Sequence, residues 1–129
     1  MERYPDIEIY LACSDIERLE HWLERALDAP VHFKRVGKGK WRGEGRFGAT
    51  HIPMLFIEKA ADGFASLWLD SDASPWPRDV DCARAANQTL GVEVRCSLGG
   101  WQPGDNPDRF FKIAPDGREE AIDWPDSGQ

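Results

Sequence analysis

The 129 residues fit one domain of ordinary size, long enough to bury a core without a metal or disulfide. A composition of 41% hydrophobic and 30% charged residues excludes a disordered chain. The formal net charge of −7 opposes nucleic acid, and no apolar run approaches the roughly 20 residues of a membrane helix.

Residues 7–13 alternate and are β-rich, which predicts a first strand. It runs into Ser14-Asp15-Ile16-Glu17, the pattern of a capping box in which Ser14 and Glu17 satisfy each other's backbone N–H. Ile16, Leu19, Leu23, Ala26 and Leu27 then recur at helical spacing, with Trp22 beside them. Asp28-Ala29-Pro30 ends that helix, because proline disfavours the helical conformation of the residue before it.

The segment 31–47 has a period of two. Gly37, Gly39, Trp41, Gly43, Gly45 and Phe47 fall on one face, and Lys38, Lys40, Arg42, Glu44 and Arg46 on the other. The glycines permit curvature or close approach of another backbone. A long, bent or bulged edge strand is expected, with a flexible hairpin as the alternative. Residues 51–59 and 64–72 read as two strands joined across Asp62-Gly63, a hairpin signal. Ser74-Pro75-Trp76-Pro77 is a rigid turn, and a second helix follows from about Arg78 or Asp79 to Leu90, with Gly91 just beyond it. Val92, Val94, Cys96 and Leu98 alternate with polar residues, as in a half-buried strand. Residues 99–108 have the composition of a loop, and 109–114 with 119–124 form a last hairpin across Pro115-Asp116-Gly117.

The expected architecture is a single α+β domain over 1–129. It is a ferredoxin-like βαβ(β)βαβ sandwich with an antiparallel-rich sheet, two helices on one face and a C-terminal hairpin. That arrangement hosts enzymes, ligand sensors and inhibitors alike, so function must come from sites.

Charge is unevenly placed. Between Val31 and Gly48, Lys34, Arg35, Lys38, Lys40, Arg42 and Arg46 stand against Glu44 alone; six minus one is +5, which leaves −12 for the rest. Lys38, Lys40, Arg42 and Arg46 recur at steps of roughly 7 Å along one strand face, with Trp41 beside them, and are candidates for binding an anion. The competing reading is a solvated edge whose lysines block aggregation. The glycines do not make a phosphate loop, since Gly39-Lys40 is followed by Trp41 rather than Ser or Thr, and no dinucleotide fingerprint occurs.

No catalytic constellation, metal-ligand spacing or cofactor motif is present, so none is expected. Asp70-Ser71-Asp72 and Asp105-Asn106-Pro107-Asp108 read as turn-capping residues rather than a cation loop. The three cysteines are an odd number without CxxC spacing, and MERYPDIEIY carries no apolar signal segment; reduced thiols in a cytoplasm are expected. Cys82 and Cys96 fall on predicted buried faces, and Cys13 precedes the first helix. Six tryptophans are a surplus of amphipathic rings. Trp76 and Trp101, with Asp105, Asp108 and Arg109, have the composition of a protein-contact patch; the competing reading is that the rings cap the core.

Trp68-Leu69-Asp70, Pro75-Trp76, Asp81-Cys82-Ala83-Arg84, residues 90–96 (LGVEVRC) and 100–105 (GWQPGD) resemble a small bacterial family without an assigned activity, over about a third of the chain. The resemblance implies bacterial origin and a compact domain, and carries no catalytic residue. In size, acidity and aromatic loops the chain is similar to immunity proteins, which neutralise toxins. The leading expectation is therefore a non-enzymatic binding protein, immunity-type or regulatory, that contacts a partner protein, a basic one by the steering of an acidic surface. The alternative is a small-molecule or anion-binding domain, including an enzyme, that uses the basic strand. Self-association through an edge strand is a third reading.

Overall fold

The computed structural model describes residues 3–98 and 108–125. Along the chain run β1 (Ile7–Leu11), α1 (Ile16–Leu27), β2 (His32–Gly37), β3 (Lys40–Phe47), β4 (Thr50–Ala61) and β5 (Phe64–Leu69). Then come α2 (Asp79–Leu90), β6 (Val94–Ser97), β7 (Arg109–Ile113) and β8 (Glu119–Asp123). The fold is α+β, as expected. Its sheet is larger than the expected one: eight strands in the order β2-β3-β4-β5-β1-β6-β7-β8, every pair antiparallel. The additional strand comes from segment 31–47, which is a hairpin turning at Lys38-Gly39 rather than one bent strand.

Both helices lie on one face. Leu19, Trp22, Leu23 and Leu27 of α1 and Cys82, Ala83, Ala86 and Leu90 of α2 share a core with Ile7, Ile9 and Leu11 of β1 and Ala65, Leu67 and Leu69 of β5. Each large side chain so buried contributes roughly 1.5–3 kcal/mol. A smaller aromatic cluster, Tyr10, Phe110 and Trp124 with Phe64 packed against it, sits on the other face of the sheet. There the Arg95 guanidinium lies 4.5 Å from the Phe64 ring centre and 4.6 Å from that of Trp124, a cation–π arrangement that fixes β6 to this cluster.

The N-terminus of α1 differs by one residue from the sequence expectation. Asp15, not Ser14, is the cap, and its carboxylate accepts from the N–H groups of Glu17 and Arg18. Both residue types suit an N-cap, but one carboxylate oxygen serves two donors here. Glu17 then falls at the second helical position, where no capping box forms. At the other end, Asp28 takes the left-handed conformation, φ 53°, and closes the helix onto Glu24.

The glycine-rich pattern of β3 has a packing cause. Gly43 and Gly45 face the helices, and a Cβ on Gly43 would stand 2.5 Å from the Phe33 ring of the neighbouring strand. A Cβ on Gly45 would meet Met54 at 2.8 Å and Leu27 at 3.0 Å. The aromatic ring takes the space a side chain would fill, as in the rescue of strand glycines by cross-strand aromatics.

Two carboxylates of α1 close part of the β2 edge: Glu24 accepts from Val31 N–H at 3.1 Å and Glu20 from Phe33 N–H at 2.9 Å. Outward donors that a second strand would need are thus occupied at the start of this edge. At the far side of α2, buried Asn87 donates to the carbonyls of Val92 and Ala114, at 2.9 and 2.8 Å. Its replacement by alanine orphans both carbonyls, and a loss of about 2 kcal/mol in chemical denaturation is expected.

Candidate functional site

The register brings side chains of several strands into rows on the sheet face that the helices leave open. One row reads Lys34, Arg42, Leu55, Trp68 and Glu8, on β2, β3, β4, β5 and β1 in turn. The next reads Lys40, Ile57, Ser66, Tyr10, Arg95, Lys112 and Glu120. Alternation forces this: Ile52, Met54 and Phe56 turn to the core, so Leu55 and Ile57 must turn away from it. The surface therefore passes from cations through an aliphatic and indole strip to carboxylates.

A cavity of about 210 Å³ lies on the strip, lined by Asp6, Glu8, Leu55, Ile57, Ser66 and Trp68. The Trp68 indole donates to Asp6 at 2.7 Å, which fixes the ring at the acidic border. Asp79, at the first turn of α2, bridges the point where β1 separates from β6. It accepts from Glu8 N–H at 3.1 Å and from the Ser97 hydroxyl at 3.2 Å. Burial pushes its carboxyl up to about 6, against the pull of these two hydrogen bonds. Burial also raises the Glu8 carboxyl, helped by Asp79 and Asp6. This end holds negative charge at a cost.

The cations at the other end lack an acidic partner among the described residues, and Arg35 donates only to the carbonyl of Gly37. Lys34, Arg35, Lys38, Lys40, Arg42 and Arg46 form no ion pair among the described residues, whereas Arg78, Arg84, Arg95, Arg109, Lys112 and Arg118 each hold an acid. The hairpin thus groups six cations without an ion pair among the described residues.

Of the anion-binding candidates, Lys40, Arg42 and Arg46 share the open face, while Lys38 lies in the turn between β2 and β3. Trp41 points the other way, half-buried against the core, and its indole N–H goes to Glu58 at 2.9 Å. Lys34 belongs with the row through its pairing with Arg42, which no reading of β3 alone could find. Among the partner-contact candidates, Trp76 is 8% exposed and stacked on Trp22, with ring centres 5.3 Å apart. Its turn is locked by Ser74, whose hydroxyl donates to Trp76 O and accepts from Trp76 N–H. Arg109 is held by Asp123 at 3.1 Å, and Asp108 has partners of its own. Trp101 and Asp105 lie outside the described residues.

The three cysteines are free. Cys82 and Cys96 are fully buried, and burial drives both thiols up, Cys96 to about 12, so they pack as small apolar groups. Among the described residues no cluster of metal-ligating side chains occurs, and no helix is long and apolar enough to cross a membrane. No family model, curated protein or solved structure matches the chain.

Proposed function

We propose that this is a binding protein whose helix-free sheet face takes a protein segment bearing acidic and aliphatic side chains. The scaffold would be a ferredoxin-like unit, β1-α1-β4-β5-α2-β6, widened at both edges by hairpins; the strand order β4-β5-β1-β6 supports this. The observation that carries the functional reading is the unpaired basic row of the β2–β3 hairpin, beside half-buried Leu55, Ile57 and Trp68.

Phosphate backbones suit this face poorly, because Asp6 and Glu8 border the same strip and would repel them. A peptide segment can set its carboxylates over Lys34 and Arg42 and its aliphatic groups on the strip. The expected basic partner of an immunity-type protein would have to use other surfaces, since the free charges here are positive.

The test is binding of a synthetic peptide alternating glutamate and leucine, followed by fluorescence anisotropy. Lys34→Glu with Arg42→Glu is expected to weaken it at least about tenfold, roughly 1.4 kcal/mol. Rising salt is expected to weaken native binding. Arg118→Glu, at an exposed turn, leaves it unchanged. Equal affinity of the Lys34/Arg42 variant and the native chain would remove the basic row from the proposal.

A further inference from the structure

On the opposite side of the molecule, α1 and α2 run antiparallel, with the Arg18 guanidinium of α1 donating to the last carbonyl of α2, Leu90 O, at 2.6 Å. Between them lies a groove of about 680 Å³ lined by Trp22, Arg25, Pro75, Trp76, Gln88 and Thr89. The small side chains Ala26 and Ala85, which also line it, leave the space open. A chamber of about 400 Å³ continues it toward the start of α1.

The one charged side chain among the described residues that line this groove is a cation, Arg25, beside the neutral Gln88 and Thr89. Among the described residues no carboxylate lines the groove. Asp15 and Glu17 line only the adjoining chamber, and the Asp15 carboxylate already caps α1. Arg25 is exposed and makes no ion pair among the described residues. The indole N–H groups of Trp22 and Trp76 have no acceptor among the described residues, and neither is sealed from solvent. Arg25 and the edges of the stacked Trp22–Trp76 pair, 3% and 8% exposed, thus border the groove. Pockets that fix small ligands combine apolar and aromatic lining with a few placed polar groups.

We propose that this groove binds a small aromatic carboxylate, its ring against the Trp22–Trp76 pair and its carboxylate on the Arg25 guanidinium. A guanidinium and a carboxylate match in fork geometry, and indole N–H groups supply further donors but accept nothing. The site is separate from the sheet face and stands whether or not that face binds a peptide.

The experiment is a titration of the full chain with 2-naphthoate and with its neutral counterpart 2-naphthamide, read on the indole N–H signals in 15N–1H spectra and assigned by Trp→Phe variants. Saturable shifts of the Trp22 and Trp76 signals are expected, with naphthoate binding at least about tenfold tighter. Arg25→Gln, at an exposed position, should keep the native melting temperature and erase that preference. Equal binding of the two compounds, no shift of these signals, or shifts confined to Trp41 and Trp68 would each overturn the proposal.

Discussion

Gly43→Val is expected to remove about 3 kcal/mol or more of stability in urea denaturation, near the top of the range for overpacked sites. Gly43 has an ordinary negative φ, so its backbone would accept any residue; the obstacle is the Phe33 ring, whose atoms lie 2.5, 2.7 and 2.8 Å from the added Cβ. A ring wedged between α1 and the sheet cannot swing aside as a methionine terminus can. Gly45→Ala is therefore expected to cost less, about 1 kcal/mol, because its nearest neighbour is the Met54 methyl group. Phe33→Ala is itself destabilising by about 3–5 kcal/mol. In that background Gly43→Val should cost much less than in the native chain, and additive losses would show that the ring is not the obstacle.

This pair marks what was legible in the chain. The alternation of glycine with charge in β3 identified a strand with one charged face. It did not say that the glycine face is the buried one, because a glycine row carries no hydrophobic signal. The explanation lies in Phe33, ten residues earlier and directly opposite in the hairpin. The βα unit, the β4–β5 and β7–β8 hairpins and the span of α2 followed from local periodicity and turn residues. The order of strands did not, since it depends on crossovers that leave no local trace. The free basic row was legible as a row, but its neighbours Leu55 and Trp68 and its contributor Lys34 come from other strands. For Trp76, composition allowed both a contact ring and a core cap, and the choice depends on Ser74, which folds the turn onto Trp22.

Asp79→Asn is expected to stabilise the protein at neutral pH by up to about 3 kcal/mol, the equivalent of a carboxyl raised from 3.8 to about 6. The amide can keep both contacts, its oxygen accepting from Glu8 N–H and its nitrogen donating to the Ser97 hydroxyl. The sign follows from linkage. A carboxyl raised in the folded state holds its proton there more tightly than in the unfolded chain, so its favourable contribution is complete below about 3.8 and is lost as pH climbs through about 6. The gain from Asp79→Asn should thus vanish near pH 3.5 and reach its full value above pH 7. The raised Glu8 carboxyl adds a change of the same sign in both proteins. A variant less stable than the native chain at pH 7 would show that the seam between β1 and β6 needs the charge itself.

The recognition surface is tested most directly by mapping the glutamate–leucine peptide onto the assigned amide spectrum of the native chain. Saturable shifts concentrated on Arg42, Leu55 and the Trp68 indole, weakened by salt, are expected. Shifts that leave these strands untouched, or none at peptide concentrations that saturate anisotropy, would contradict binding on the open face of the sheet.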